Sequence, residues 1–88
     1  MISNETLLER AAGRIHVDIT KIIIEKNLID TAVDTPEPGT PMEFLYDVYV
    51  EFIDPSGNTG PFSCPKCRQT VLHTFYQLKP YLEKQHAK

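Results

Sequence analysis

Three prolines and a glycine fall within seven residues, Thr35-Pro36-Glu37-Pro38-Gly39-Thr40-Pro41. Proline fixes φ and has no N–H to donate, so this stretch can be neither helix nor central strand. It cuts the chain into an N-terminal and a C-terminal segment, joined by a Pro-rich loop at 34–42. It does not carry PxxP with a flanking base, so it reads as a linker rather than a ligand for a groove. The whole chain has 88 residues. That length is room for one core, so a single small domain over 1–88 is expected.

The N-terminal segment is patterned for a helix. Leu8, Ile15, Ile22 and Ile29 recur every seven residues, with Ala12 and Ile19 in the intervening turns and Ala11 and Leu28 widening the stripe. Such a recurrence lays one apolar face along a helix. Ser3 suits the N-cap, and Ile2 and Leu7 stand at the two positions of a hydrophobic staple. Gly13 weakens a helix by up to about 1 kcal/mol. The expectation is one long rod, or two helices meeting near Gly13, with Asp18 capping the second. A competing pattern lies inside this segment. Ile15, Val17 and Ile19 alternate with His16, Asp18 and Thr20, which would suit a short strand over 15–19.

After the linker, Tyr46, Val48, Val50 and Phe52 alternate with Leu45, Asp47, Tyr49, Glu51 and Ile53. The two-residue period and the aromatic and β-branched content predict a strand from Phe44 to Ile53. Asp54-Pro55-Ser56-Gly57-Asn58-Thr59-Gly60-Pro61 has turn chemistry. It would return the chain as a β-hairpin, with Phe62 and Ser63 as the second strand. A strand must find a hydrogen-bonding partner. That partner would be the short return, the 15–19 segment or a second copy of the chain.

The last segment predicts a C-terminal amphipathic helix from Pro65 to Gln85. Val71, Phe75, Leu78 and Leu82 form its stripe, with Leu72 and Tyr81 on the flank. Pro65 suits the first helical turn. Pro80 removes one helical hydrogen bond and is expected to kink the helix or end its regular part at Lys79. The fold class expected from these parts is α+β: a long N-terminal helical segment and a C-terminal amphipathic helix packed on a minimal two- or three-stranded sheet.

The net charge of −3 conceals an uneven distribution. Residues 1–65 carry −7, and residues 66–88 carry +4. A uniformly basic nucleic-acid-binding surface is therefore excluded. The basic C-terminal helix still offers Arg68, Lys79 and Lys84 as contacts for an acidic partner or for the phosphates of nucleic acid. No apolar run approaches the roughly 20 residues needed to span a membrane. The N-terminus lacks the basic and apolar regions of a secretory signal. The cytoplasm is the expected location, and there cysteines stay reduced unless they are catalytic or hold metal.

The chemically pointed feature is Ser63-Cys64-Pro65-Lys66-Cys67-Arg68, a Cys-x-x-Cys between a turn and a helix start. Three readings compete. In the first, Cys64 is a nucleophilic thiol and Cys67 resolves it. A helix N-terminus supplies the positive end of the dipole and unpaired N–H groups, both of which favour a thiolate. The order strand, Cys-Pro-x-Cys, helix resembles the active-site corner of thioredoxin-like proteins. The resemblance implies redox work by Cys64 and Cys67. It covers about thirty residues of the chain, has no tryptophan before Cys64, and leaves only about twenty residues after Cys67 for further strands.

In the second reading, the motif looks like half of a zinc ribbon. Zinc takes four ligands, and the chain has only two cysteines. His73 lies about 9 Å along the helix from Cys67 and on another face. His16 could approach only through tertiary folding, and His86 stands near the chain end. A site shared by two copies would supply two cysteines from each. In the third reading, both cysteines are small side chains at a helix start and do nothing further.

No other catalytic constellation is present. His16 and Asp18 have no nucleophile beside them, Glu5 and Glu9 read as a solvated helix face, and no phosphate-binding glycine loop appears. No small-molecule substrate is indicated. The function expected from the sequence is therefore a small non-enzymatic interaction or assembly module. Zinc at Cys64 and Cys67 would pin it, and it would work through a protein partner or by self-association. The alternatives are a thiol–disulfide protein using the same cysteines and a weak nucleic-acid binder acting through Arg68, Lys79 and Lys84.

Overall fold

Thr40 and Glu43 decide the fate of the alternating segment. Thr40 Oγ1 accepts a hydrogen bond from the Glu43 N–H at 3.3 Å, and Glu43 Oε1 accepts one from the Gly39 N–H at 2.9 Å. This reciprocal arrangement is close to a capping box, and Pro41 occupies the first turn behind it. A helix starts there. The computed structural model describes residues 4–87, and its elements are α1 (Asn4–Arg14), α2 (Val17–Glu25), α3 (Leu28–Thr31), α4 (Pro41–Val48), a π-helical segment (Tyr49–Ile53) and α5 (Pro65–His86).

Among the described residues there is no strand. The expected α+β architecture with a two- or three-stranded sheet is thus overturned, and the domain is helical. The reason lies in the composition of 42–53. Only Asp47, Glu51 and Glu43 interrupt the apolar and aromatic residues, so the run satisfies both periods. Met42, Leu45, Tyr46 and Tyr49 have the i, i+3, i+4, i+7 spacing of a helix face, and the first three are buried. A helix also satisfies its own backbone groups, whereas a strand here would have needed the short return at Phe62 and Ser63, the 15–19 segment or a second copy to pair with. The expected hairpin therefore does not form, although the turn at 54–60 does, with Gly57 at φ 82°. The strand half of the thioredoxin-like resemblance goes with it.

The N-terminal segment is two helices and a short third, not one rod. The break follows Gly13, as its low propensity suggests. The side chain that caps α2 is His16, whose Nδ1 accepts from the Asp18 N–H at 3.2 Å. Asp18 is thus the donor residue rather than the cap. The strand reading of 15–19 is also overturned, because α2 begins at Val17. Each break rotates the apolar stripe. Ile15 and Ile29 are buried, but Ile22 is only partly so, and Ile23 and Thr20 face inward instead. Asn27, at φ 56°, makes the turn from α2 into α3. The expected N-cap Ser3, and Ile2 of the staple, lie outside the described residues.

α5 is the spine. Its stripe of Val71, Phe75, Leu78 and Leu82 is fully buried. α1, α2, α3 and α4 all pack against it. They contribute Ala12, Ile23, Ile29, Met42, Leu45, Tyr46 and Val48 to one cluster. The thin axis of the molecule, 17 Å, corresponds to two layers of helices. Of the two outcomes expected at Pro80, an end of the helix at Lys79 is overturned, because α5 runs on to His86. Pro80 is exposed, so water can meet the carbonyl that its missing N–H leaves free. Across the layers, Lys79 Nζ bonds Asp30 Oδ2 at 2.5 Å. With its amide oriented to match its neighbours, Gln85 donates to Ala12 O at 3.2 Å and accepts from the Gly13 N–H at 3.2 Å. The loop before α4 spans 32–40, and it ends earlier than its last proline suggests, because Pro41 and Met42 belong to the helix. Among the described residues, no helix is long and apolar enough to cross a membrane.

Candidate functional site

Cys64 is the N-cap of α5. Pro65 follows at the first helical position, where a missing N–H costs nothing. The usual N-cap side chains offer an oxygen; here a sulfur takes that role. Cys64 Sγ accepts from the Cys67 N–H at 3.4 Å. The two cysteines are one turn apart, unlinked and half-buried.

Their protonation is driven in opposite directions. The Cys64 thiol is held below the usual cysteine range. The main cause is a hydrogen bond from the Cys67 side chain, followed by bonds from the Cys67 and Lys66 backbone N–H groups and the positive charge of Arg68; partial burial opposes them. The Cys67 thiol is raised, first because it serves as donor to Cys64, then by burial and by the Cys64 charge. Of the two, Cys64 is the thiol whose charged form the site favours, and Cys67 the one whose proton it holds more tightly. That division is what an attacking and a resolving thiol need.

The walls of the site come from three elements. Cys67 lines a cleft of about 400 Å³ together with Tyr49 and Ile53 of the π-helical segment, Asp54, Thr59 and Gly60 of the following turn, and Thr70 of α5. A π-helical turn widens the helix locally, and such turns often mark functional positions. Asp54 organises the turn. Its carboxylate accepts from the Thr59 hydroxyl and, at 2.7 Å, from the Ser56 hydroxyl. These bonds, Thr59 first, hold its carboxyl below the usual carboxylate range. Tyr46, buried in α4, donates its hydroxyl to Gly60 O. Its ring meets Phe62 edge-on at 5.2 Å.

The expected basic contacts are separated by this fold. Arg68 is buried and bound: its Nε lies 2.7 Å from Asp34 Oδ1, and its Nη1 donates to Phe62 O at 2.8 Å. Lys79 pairs with Asp30. Lys84 is exposed near the far end of α5. The three do not form one open face. The histidines are equally dispersed. His16 caps α2, His73 is exposed with its Nε2 3.1 Å from Gln77 Nε2, and His86 is exposed in the last turn of α5. Among the described residues, no group of three or more His, Cys, Asp or Glu side chains is placed to hold a metal. Cys64 and Cys67 of one chain thus supply two of the four ligands that zinc requires.

The amino-acid pattern locates the cysteines but not Tyr46, Asp54, Thr59, Gly60 and Asp34. Its two-residue period puts Tyr46 on a strand face, and its turn signals give the 54–60 residues a geometric role alone. The Thr40-Pro41-Met42-Glu43 signature is the available signal for α4, and with it for the placement of Tyr46. No protein-family model, no curated protein and no solved structure matches this chain.

Proposed function

We propose that the protein works through thiol–disulfide exchange at Cys64 and Cys67, with a disulfide-bearing polypeptide as the reaction partner. The observation that carries this reading is the capping of α5 by the Cys64 sulfur, which receives the Cys67 backbone N–H at 3.4 Å with the second thiol one turn away. The Cys64 thiolate attacks one sulfur of the partner's disulfide. A Cys64–partner disulfide forms, and the partner's other sulfur leaves as a thiolate. Cys67 then gives up its proton, which passes to solvent or to the departing sulfur, and attacks Cys64. The Cys64–Cys67 disulfide closes and the second partner thiolate is released. Two electrons have moved from the cysteine pair to the partner.

The zinc-pinned assembly module remains the competing reading for the same residues, and it needs a second copy of the pair. One set of measurements separates them. Under the exchange reading, iodoacetamide modifies Cys64 with a midpoint below the roughly 8.5 of a free thiol. Cys67→Ser would trap a mixed disulfide with an oxidised peptide, and native mass would not change on adding a chelator. A Cys64 that titrates as a free thiol and traps nothing would sink the exchange reading. A chelator-sensitive dimer would favour zinc instead.

A further inference from the structure

Gly57 and Gly60 stand in the same turn for different reasons. Gly57 has φ 82°, in the region that only glycine enters freely. Gly60 does not have a positive φ, so its need for glycine is spatial. A Cβ built on Gly60 would stand 2.6 Å from Cys67 Sγ. The sulfur therefore rests directly on the bare backbone of Gly60. That backbone is held in place from the other side, because Tyr46 donates its hydroxyl to Gly60 O.

We propose that Gly60, anchored through its carbonyl by Tyr46, is a positioning residue that seats the Cys67 thiol beside Cys64. This rests on the exchange reading above and adds to it the groups that control the second, resolving step. Tyr46 of α4 is thereby linked, through the Gly60 carbonyl, to the turn against which Cys67 of α5 rests. The Asp54 carboxylate, bonded to Thr59 and Ser56, stiffens the turn that carries Gly60. Burial, and then the two neighbouring cysteines, raise the Tyr46 hydroxyl above its ordinary value. That shift favours the protonated hydroxyl, the form that donates to Gly60 O. The seat leaves Cys67 at the wall of the cleft.

The test uses Gly60→Ala, Tyr46→Phe and, as a control, the exposed Ser63→Ala. Ellman's reagent is the disulfide probe: it places thionitrobenzoate on Cys64, and release of the second thionitrobenzoate reports closure by Cys67. Gly60→Ala should slow closure about tenfold, the scale on which misplaced reacting groups lose rate. It should also raise the midpoint of Cys64 alkylation, because the Cys67 donor is displaced. Tyr46→Phe keeps the ring against Phe62 and removes only the hydroxyl, so a smaller slowing with the same sign is expected. Ser63→Ala should behave as the parent. A purely structural role would lower the melting temperature and leave closure rate and midpoint alone, and that result overturns the proposal. The iodoacetamide rate of Cys67 itself is read in parallel and does not depend on exchange activity. It should rise several-fold in both variants as the sulfur leaves its seat. If the parent never closes a disulfide, the exchange reading fails. If Cys67 alkylates at the parental rate in both variants, the seat fails.

Discussion

Arg68 Nε and Asp34 Oδ1 lie 2.7 Å apart, although 34 residues separate them in the chain. The pair fastens the proline-rich loop to the first turns of α5. Its members are unequal: the Arg68 side chain is 7% exposed and that of Asp34 32%. Removing the acid strands a buried guanidinium with only Phe62 O and the Phe62 ring, 6.0 Å away, as company. Removing the base leaves a carboxylate that can turn to water. Asp34→Ala is therefore expected to cost about 2–3 kcal/mol and Arg68→Met roughly half of that. Urea denaturation of both variants checks the order. A larger loss for Arg68→Met would mean that a stranded guanidinium costs less here than the contacts Arg68 makes.

Thr40 is a second point of leverage. Thr40→Ala removes the oxygen that receives the Glu43 N–H, and the expected loss is about 1 kcal/mol. Thr35→Ala, whose hydroxyl accepts from Glu37 at 3.3 Å within the loop, should stay within about 0.5 kcal/mol of the parent. Thermal melts of the two proteins make the comparison.

Pro80 sits mid-helix and exposed. Pro80→Ala restores a donor and removes a steric conflict, so stability should rise by about 1–3 kcal/mol. For a domain of this size each kcal/mol corresponds to about 4–8 °C in Tm. Calorimetry would show the gain, and an unchanged Tm would mean that the unfolded-state stiffening by proline offsets it.

Asp47 supplies a pH dependence. Asp47 is exposed, yet partial desolvation raises its carboxyl above the ordinary value, and Glu43 and Glu51, one turn away on either side, add to the rise. The folded state therefore binds this proton more tightly than the unfolded state does. The resulting cost is present above the folded-state pKa and disappears as pH falls below the unfolded value near 4. Asp47→Asn should be more stable than the parent at neutral pH by up to about 0.5 kcal/mol, and the advantage should vanish below pH of roughly 4. Denaturant midpoints at neutral and acid pH test the sign.

Some of this architecture could be read before any coordinates. The spacing of Val71, Phe75, Leu78 and Leu82 has no competing period, and these side chains form the spine of the core. Pro65 after Cys64 marks a helix start in any context. The segment from Met42 to Ile53 could not be assigned so directly, because nearly every position is apolar or aromatic and a two-residue period can be drawn through a helical one. The deciding information sat outside the run, in the Thr40–Glu43 cap. For the site, the two cysteines are visible in the sequence, but the contact between Tyr46 and Gly60 is tertiary. Arg68 looks like a surface base because nothing local tells it apart from Lys84; a partner in the distant loop is what draws it inside.

The placement of the spine in the last quarter of these residues has a consequence for how the protein is made. Chains emerge from synthesis N-terminal end first, and domains generally fold as units. Here α1, α2, α3 and α4 each turn their apolar side chains toward α5. While residues up to Ser63 are being added, Ile15, Ile23, Ile29, Met42 and Leu45 can meet the neighbouring N-terminal helices but lack the α5 stripe that completes their core. The core therefore closes only with the cysteine pair and the helix behind it. Until then the growing chain keeps part of its apolar surface uncovered, the kind of intermediate that chaperones hold.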